Sequence, residues 1–243
     1  KHIISCVSMS CIDLNRIQKR KFKVVIDAVN GAGSNALPPL LESLGCEVFE
    51  LYCEPNGDFV RGTEPLPEHL KNLGEEVIKY GADVGFAVDP DADRLAIVNE
   101  MGEPLGEEYT LVVAADGYLR DTGKEEKFVI NLSTSLALEK LAESNNSSVT
   151  RSAVGEINVV NKMIEINSKL GGEGNGGVIL RECHLGRDSM VAATMVLNRM
   201  SISESLISEI HASLPQFEIV KDKIDIEGID IEDVIGRVSL LFE

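Results

Sequence analysis

Two short apolar runs about 100 residues apart constrain this chain most: Lys23-Val24-Val25-Ile26-Asp27 and Lys127-Phe128-Val129-Ile130-Asn131. Each leads through a small polar loop into helix-like spacing and then into another strand-like run. Strands that alternate with helices favour helices layered on a sheet, so the expected class is α/β. The echo between the runs reads as tandem duplication of one α/β unit.

The other elements follow from periodicity and punctuation. Ile3, Ile4, Val7, Cys11, Leu14 and Ile17 recur at helical spacing, which predicts one amphipathic helix or two short ones over residues 1–20. Helices are predicted over 35–44, closed by Gly45, and over 67–80, closed by Gly81. Strands are predicted over 47–52, Val84–Val88 and 95–99, and further helices over 109–119 and 189–200. The polar stretch 121–126 is the expected domain boundary. Beyond Leu214-Pro215 the sequence reads as a charged strand-like run and then a short helix. The Asn30-Gly31-Ala32-Gly33-Ser34 loop is expected to expose backbone N–H groups at the next helix start.

Charge narrows the partners. The net charge is −17 and no basic stripe offsets it, so neither nucleic acid nor an anionic membrane surface is expected to bind. No apolar run approaches the ~18 residues of a membrane span. Cys6, Cys11, Cys46, Cys53 and Cys183 are odd in number and scattered, which reads as reduced thiols in a cytoplasmic protein, not disulfides or zinc ligands. The start, Lys1-His2-Ile3-Ile4, has neither an apolar signal segment nor an initiator Met. It is expected to lie partway through a longer protein.

The most informative segment is Asp89-Pro90-Asp91-Ala92-Asp93-Arg94, between two predicted strands. Asp89, Asp91 and Asp93 repel one another unless a cation neutralises them, and three carboxylates at alternate positions can converge on one hard ion. Mg²⁺ fits that oxygen set best. An EF-hand loop shares the spacing, and Glu100 falls at its twelfth position, but Arg94 stands where that loop needs Gly and the flanks read as strands. A phosphatase of the haloacid dehalogenase type also places Asp-x-Asp after an apolar strand, with Asp89 as nucleophile. That class carries Thr or Val two residues beyond its second Asp, where this chain has Asp93.

A second loop, Gly171-Gly172-Glu173-Gly174-Asn175-Gly176-Gly177, sets one carboxylate and one amide on a backbone that a ligand can approach closely. Glu173 accepts from hydroxyls and Asn175 both donates and accepts, a pair suited to a hexose. A hairpin turn with no ligand has the same glycine density. Downstream, Arg187 is a candidate phosphate contact or a surface ion pair, Asp188 a candidate helix cap, and His184 has no partner assigned by sequence.

Taken together, the two loops make the chain resemble the α-D-phosphohexomutase family, which includes phosphoglucosamine mutase and phosphomannomutase/phosphoglucomutase. The family's metal loop is Asp-Gly-Asp-Gly-Asp-Arg, with Pro90 and Ala92 replacing the glycines here. Its sugar loop, Gly-Glu-x-Ser-Gly-His, is matched from Gly172 to Gly177, with Asn175 replacing Ser and Gly177 replacing His. The Asn30-Gly31-Ala32-Gly33 loop, Glu54-Pro55-Asn56-Gly57-Asp58-Phe59 and Val154-Gly155 resemble further signatures.

The resemblance implies two tandem three-layer α/β domains with mixed sheets, the second and third of four. It implies a linker helix over 1–21, a metal domain over 22–122, a sugar domain over 123–215, and a link over 216–243 toward a fourth domain. Mg²⁺ would sit on Asp89, Asp91 and Asp93, and a hexose or hexosamine phosphate would meet Glu173, Gly174, Asn175, Gly176, Arg94 and Arg187. The activity implied is phosphoryl transfer between the 1- and 6-positions through a phosphoserine.

The Ser-His-Asn-Pro loop that carries that serine does not occur in these 243 residues, so the chain alone is expected to be inactive, its first and fourth domains being supplied elsewhere. A non-catalytic sugar-phosphate binding module would keep the same loops without a serine. Arg61-Gly62-Thr63-Glu64-Pro65 imitates the fourth domain's phosphate loop, by chance on this reading. Ala153 stands where many members carry a Lys, and Arg151 is the candidate substitute.

Overall fold

Val24, Val25 and Ile26 are β-branched and all buried, so the first apolar run becomes the central strand β1 (Lys23–Asp27) of a sheet covered on both faces. In this computed structural model, which describes residues 1–217, 219, 228 and 230–241, β1 pairs in parallel with β2 (Glu47–Leu51) and β3 (Val84–Val88). The last strand, β4 (Leu95–Val98), turns back antiparallel on β3, giving the order β2-β1-β3-β4. The second apolar run repeats the plan. The strand β5 (Lys127–Asn131) pairs in parallel with β6 (Ser148–Ser152) and β7 (Leu170–Glu173), and β8 (Gly177–Leu180) returns antiparallel, giving β6-β5-β7-β8. The two mixed sheets share strand order and direction, the relation that the sequence echo suggested.

Helices fill the layers between and outside the sheets. The N-terminal stretch forms two short helices, α1 (His2–Val7) and α2 (Leu14–Arg20). The next helix, α3 (Leu37–Ser43), starts two residues later than expected because a 3₁₀ turn takes Ala32–Asn35, and Pro38 and Pro39 suit its first turn. On the outer face of the first sheet lies α4 (Lys71–Tyr80), whose Leu73 and Val77 pack against Val25, Ala87 and Ala96. It stops at Gly81 in the left-handed conformation, as the sequence predicts. The second sheet is served by α6 (Ala137–Glu143) and by α7 (Glu156–Glu165), whose Val159 and Met163 cover Val129 and Ile179.

The layer between the sheets holds α5 (Tyr109–Thr122) and α8 (Ser189–Ser203), which are buried along nearly their whole lengths and pack on each other. One continuous apolar core joins Phe22 and Phe86 of the first unit to Phe128 and Leu170 of the second. The helix α5 runs three residues past the predicted end, into the stretch read as a boundary. Arg120 and Asp121 look like linker residues, yet Arg120 pairs with Asp116 and Asp121 with Arg16 of α2. Ion pairs thus let a polar turn stay helical. A buried pair, Arg199 of α8 with Asp116 of α5, closes the middle layer. Two helices complete the chain, α9 (Ile207–Ser213) and α10 (Ile231–Ser239). Residues 218, 220–227 and 229, most of the charged run read as a strand, lie outside the described residues. Among the described residues, no helix is long and apolar enough to cross a membrane.

Candidate functional site

The turn between β3 and β4 carries the acidic loop, so flanking strands, not helices, present it, and the EF-hand reading falls. The side chains of Asp89, Asp91 and Asp93 converge, with one oxygen from each within 4.8 Å of the others. At that separation two carboxylates repel by roughly 3–4 kcal/mol at an effective dielectric of about 20. Asp89 is held from behind: its Oδ1 accepts from the backbone N–H of Asp93 (3.0 Å) and Arg94 (3.1 Å), and its Oδ2 from Arg94 Nε (2.6 Å). Both oxygens of this buried carboxylate are thus occupied, a poor arrangement for the nucleophile of a haloacid dehalogenase-type phosphatase. Burial would push the Asp89 carboxyl up, but the Arg94 side chain and backbone N–H outweigh it and hold it below its ordinary value.

Asp93 behaves in the opposite way. Burial first, and then the Asp89 charge, push it up to about 7, against the pull of Arg187. Its Oδ1 is buried without a hydrogen-bond partner, with Arg94 Nε 3.7 Å away. An orphaned carboxylate oxygen beside two further carboxylates is the donor set a hard divalent cation takes, so the residues fit Mg²⁺. The sign of the pH effect follows. Between about 4, the unfolded value, and about 7 the folded chain keeps a proton that the unfolded chain has released, so this group lowers stability as pH rises. Thermal melting in chelator is therefore expected to show a lower midpoint at about pH 8 than at about pH 5 from this group, and saturating Mg²⁺ to raise the midpoint more at the higher pH. Equal Mg²⁺ shifts at both pH values would show that Asp93 takes no part.

The Asn30–Ser34 loop does not expose its N–H groups as expected. Ala32 N donates to Pro90 O (2.8 Å), Gly31 N to Ala28 O (2.8 Å) and Ser34 N to Gly31 O (3.2 Å). Its role is to brace the acidic loop. Ala92 adopts φ +61, a conformation that disfavours a side chain, which accounts for the glycine that the family's loop has there. Arg61 is not a surface phosphate ligand either: with its side chain 4% exposed, it donates to Asp27 Oδ2 (2.6 Å) and Val88 O (2.5 Å), the residue before Asp89. Glu64 of the same run pairs with Arg94. The side chains of Arg61 and Glu64 thus serve the fold.

The glycine-rich loop is the β7–β8 hairpin, and it meets the acidic loop. Leu95 N donates to Gly176 O (3.0 Å), and Gly176 has φ +90 with no room for a side chain against the Leu95 backbone. Gly174 lies directly against the Glu108 carboxylate, again too close for a Cβ. Glu173, at the end of β7, is buried; its Oε1 accepts from Asn131 Nδ2 (2.7 Å) and Gly155 N (3.2 Å). Its Oε2 accepts from Arg187 Nη1 (2.9 Å). A carboxylate takes about four hydrogen bonds, so roughly one position remains for a ligand hydroxyl. Asn175 Oδ1 accepts from Gly177 N (3.3 Å) within the turn.

Arg187 joins the two loops. Its guanidinium bonds Asp93 on one side and Glu173 on the other, with Glu156 3.6 Å from its Nε. Asp188 caps α8 by accepting from Met190 N (2.8 Å) and Val191 N (3.2 Å), as expected, and supplies His184 with a partner at 2.8 Å. Arg151, the candidate substitute for a lysine, is engaged in the fold. It donates to Glu139 (2.7 Å) and to the carbonyls of Asn131, Leu132 and Thr134, and so fastens the β5–α6 loop.

Sequence reasoning missed Asn131, Thr134, Glu108, Glu64 and Glu156. Only Asn131 had a signal, since it ends β5 at the place where Asp27 ends β1. Both side chains anchor a residue that reaches back to a strand end.

Comparison with known proteins finds matches over both α/β units. The family model for phosphoglucomutase/phosphomannomutase alpha/beta/alpha domain II matches residues 1–102, and that for domain III matches residues 106–217. A phosphoglucomutase/phosphomannomutase of Thermococcus kodakarensis is 37% identical over 233 residues, covering 96% of this chain and 51% of the relative. A protein named "Probable phosphoglucosamine mutase" from Methanopyrus kandleri is 30% identical over 204 residues, covering 84% and 45%. The chain spans about half the length of these curated relatives. The crystal structure of a phosphoglucomutase/phosphomannomutase family protein from Burkholderia thailandensis superposes with a TM-score of 0.73 at 24% identity, over 84% of this chain and 46% of that one, and shares the fold. Matches to these two models over residues 1–102 and 106–217, which span both mixed α/β sheets, place the chain in the phosphoglucomutase/phosphomannomutase family.

Proposed function

We propose that this chain forms the metal-binding and sugar-binding middle of a phosphohexomutase, which moves a phosphoryl group between the 1- and 6-positions of a hexose or hexosamine phosphate. The observation that carries the reading is Arg187, whose one guanidinium touches both Asp93 and Glu173 and so makes a single site of the two loops. The names of the relatives favour glucose, mannose and glucosamine phosphates as substrates.

In this reading Asp89, Asp91 and Asp93 hold Mg²⁺. The bound ion would neutralise charge on a phosphoserine and on the group in transfer. Arg94 and Arg187, the guanidinium groups beside the triad, are the cations this chain offers to a substrate phosphate. Glu173, fixed by Asn131, Gly155 and Arg187, orients a sugar hydroxyl, and Asn175, Gly174 and Gly176 shape the hairpin that receives the ring. The serine that carries the phosphoryl group and the fourth-domain phosphate loop are supplied by sequence outside these 243 residues, so this chain by itself does not turn over.

Calorimetric titration with glucose, mannose and glucosamine 6-phosphates in Mg²⁺ tests the sugar half. Glu173→Gln keeps the shape of the hairpin but weakens the acceptor, and it is expected to reduce affinity for the preferred sugar by roughly 10-fold, the scale of one hydrogen bond to a charged group. Binding that is equal in the two proteins would remove Glu173 from the site.

A further inference from the structure

A second group of metal-type donors lies outside the aspartate triad. The helix α1 sets His2 and Cys6 four residues apart on one face, and the connection from β8 to α8 brings His184 and Asp188 to meet them. His2 Nε2 lies 2.5 Å and His184 Nε2 2.8 Å from the same Asp188 oxygen, Oδ2, and Cys6 Sγ lies 3.7 Å from His2 Nε2. One donor atom each from His2, Cys6 and Asp188 falls within 4.8 Å of the others. We propose that His2, Cys6, His184 and Asp188 form a tetrahedral site for a transition-metal dication such as Zn²⁺, clipping α1 to the start of α8.

The chemistry of the donors selects the ion. One thiolate, one carboxylate and two neutral imidazoles carry two negative charges, which a dication cancels. A sulfur, two nitrogens and an oxygen suit Zn²⁺ or Co²⁺, whereas the all-oxygen triad suits Mg²⁺. Bonds of about 2.0–2.3 Å in a tetrahedron put donor atoms roughly 3.3–3.6 Å apart, close to the 3.7 Å between His2 Nε2 and Cys6 Sγ; His184 reaches Asp188 but lies outside that three-donor group, so its half-exposed side chain has to swing inward to complete the set. Asp188 is already oriented for the task. Its Oδ1 is held by the first backbone N–H groups of α8, which leaves Oδ2 facing the cluster, as the outer partners of a metal carboxylate do. Cys6 is fully buried, while His2 and His184 are 41% and 43% exposed at the side chain, which leaves an entry path.

Cobalt titration of the chelator-stripped 243-residue chain decides the matter. One equivalent of Co²⁺ is expected to give the intense visible bands of tetrahedral cobalt together with a thiolate-to-cobalt charge-transfer band, and Zn²⁺ to erase both. The charge-transfer band is expected to vanish in Cys6→Ser/Cys183→Ser, affinity to fall at least ~100-fold in His184→Ala, and the spectrum to survive in Asp91→Ala. Only the pale bands of octahedral cobalt in the unaltered protein, a band that persists without both thiols, or a spectrum lost in Asp91→Ala would each overturn the proposal. The first of these needs no variant to fold.

Discussion

Replacing Asp91 with Ala is expected to lower Mg²⁺ affinity by ~100-fold or more, about 2.7 kcal/mol of binding free energy, with little change in the stability of the metal-free chain. Asp91 is the exposed member of the triad, and no bond to its side chain appears among the described hydrogen bonds and ion pairs, so its loss removes a ligand without opening the fold. Removing one of three mutually repelling carboxylates also relieves Asp93, whose carboxyl Asp91 helps to push up. The metal-free variant is therefore expected to melt no lower than the parent, and the melting shift that Mg²⁺ causes in the parent to disappear. Calorimetric titration and thermal melting read both effects. A variant that bound Mg²⁺ as the parent does would take the triad out of the metal site.

The largest expected stability effect lies at Arg61. Asp27 is 1% exposed and Arg61 4%, and the pair stands at the end of β1 beneath the metal loop. Burial pushes the Asp27 carboxyl up even with the guanidinium beside it, and Arg61, helped by the Val29 N–H, is the main group that favours its charged form there. Arg61→Leu is expected to cost about 3–5 kcal/mol, because it strands a buried carboxylate and leaves Val88 O without its donor. The sign of the pH dependence follows. With the folded value raised still further, the stranded acid favours folding only where it is protonated, so the deficit shrinks as pH falls toward the ordinary carboxylate range. Asp27→Asn/Arg61→Leu is expected to recover part of the loss. Urea denaturation at neutral and acid pH measures these differences; a loss below about 1 kcal/mol in Arg61→Leu would show that the pair is not desolvated.

These two residues also show how far the sequence could be read. Asp91 belongs to a triad whose members are neighbours in sequence, so local repulsion alone pointed to a cation. The same holds for Asp188, whose place before an apolar helix announced a cap, and for Gly81, which stops α4. The repeated strand-loop-helix pattern likewise carried the fold class, because the period of burial is written into each element. Arg61 was a different matter. Its neighbours spelled a surface phosphate loop, and nothing local said that it would turn inward to Asp27, 34 residues away.

Arg187 was legible as a phosphate ligand or an ion pair, but not as the bridge between loops, since its partner Asp93 is 94 residues distant. Glu108, in the turn before α5, and Thr134, in the β5–α6 loop, lie in segments with no periodic pattern, and they reach Gly174 through tertiary packing. Even the length of α5 depended on Arg16, a residue from another helix.

In the proposed function, a divalent ion among Asp89, Asp91 and Asp93, next to the Glu173 hairpin, is what makes these two loops one site. Crystals of the chain soaked in Mn²⁺, examined by anomalous diffraction, test this most directly. The predicted map has one strong peak bonded to an oxygen of each aspartate, with Asp93 turned from Arg187 toward the ion. A map with no peak there, and Arg94 and Arg187 still paired with the triad at saturating Mn²⁺, would contradict it.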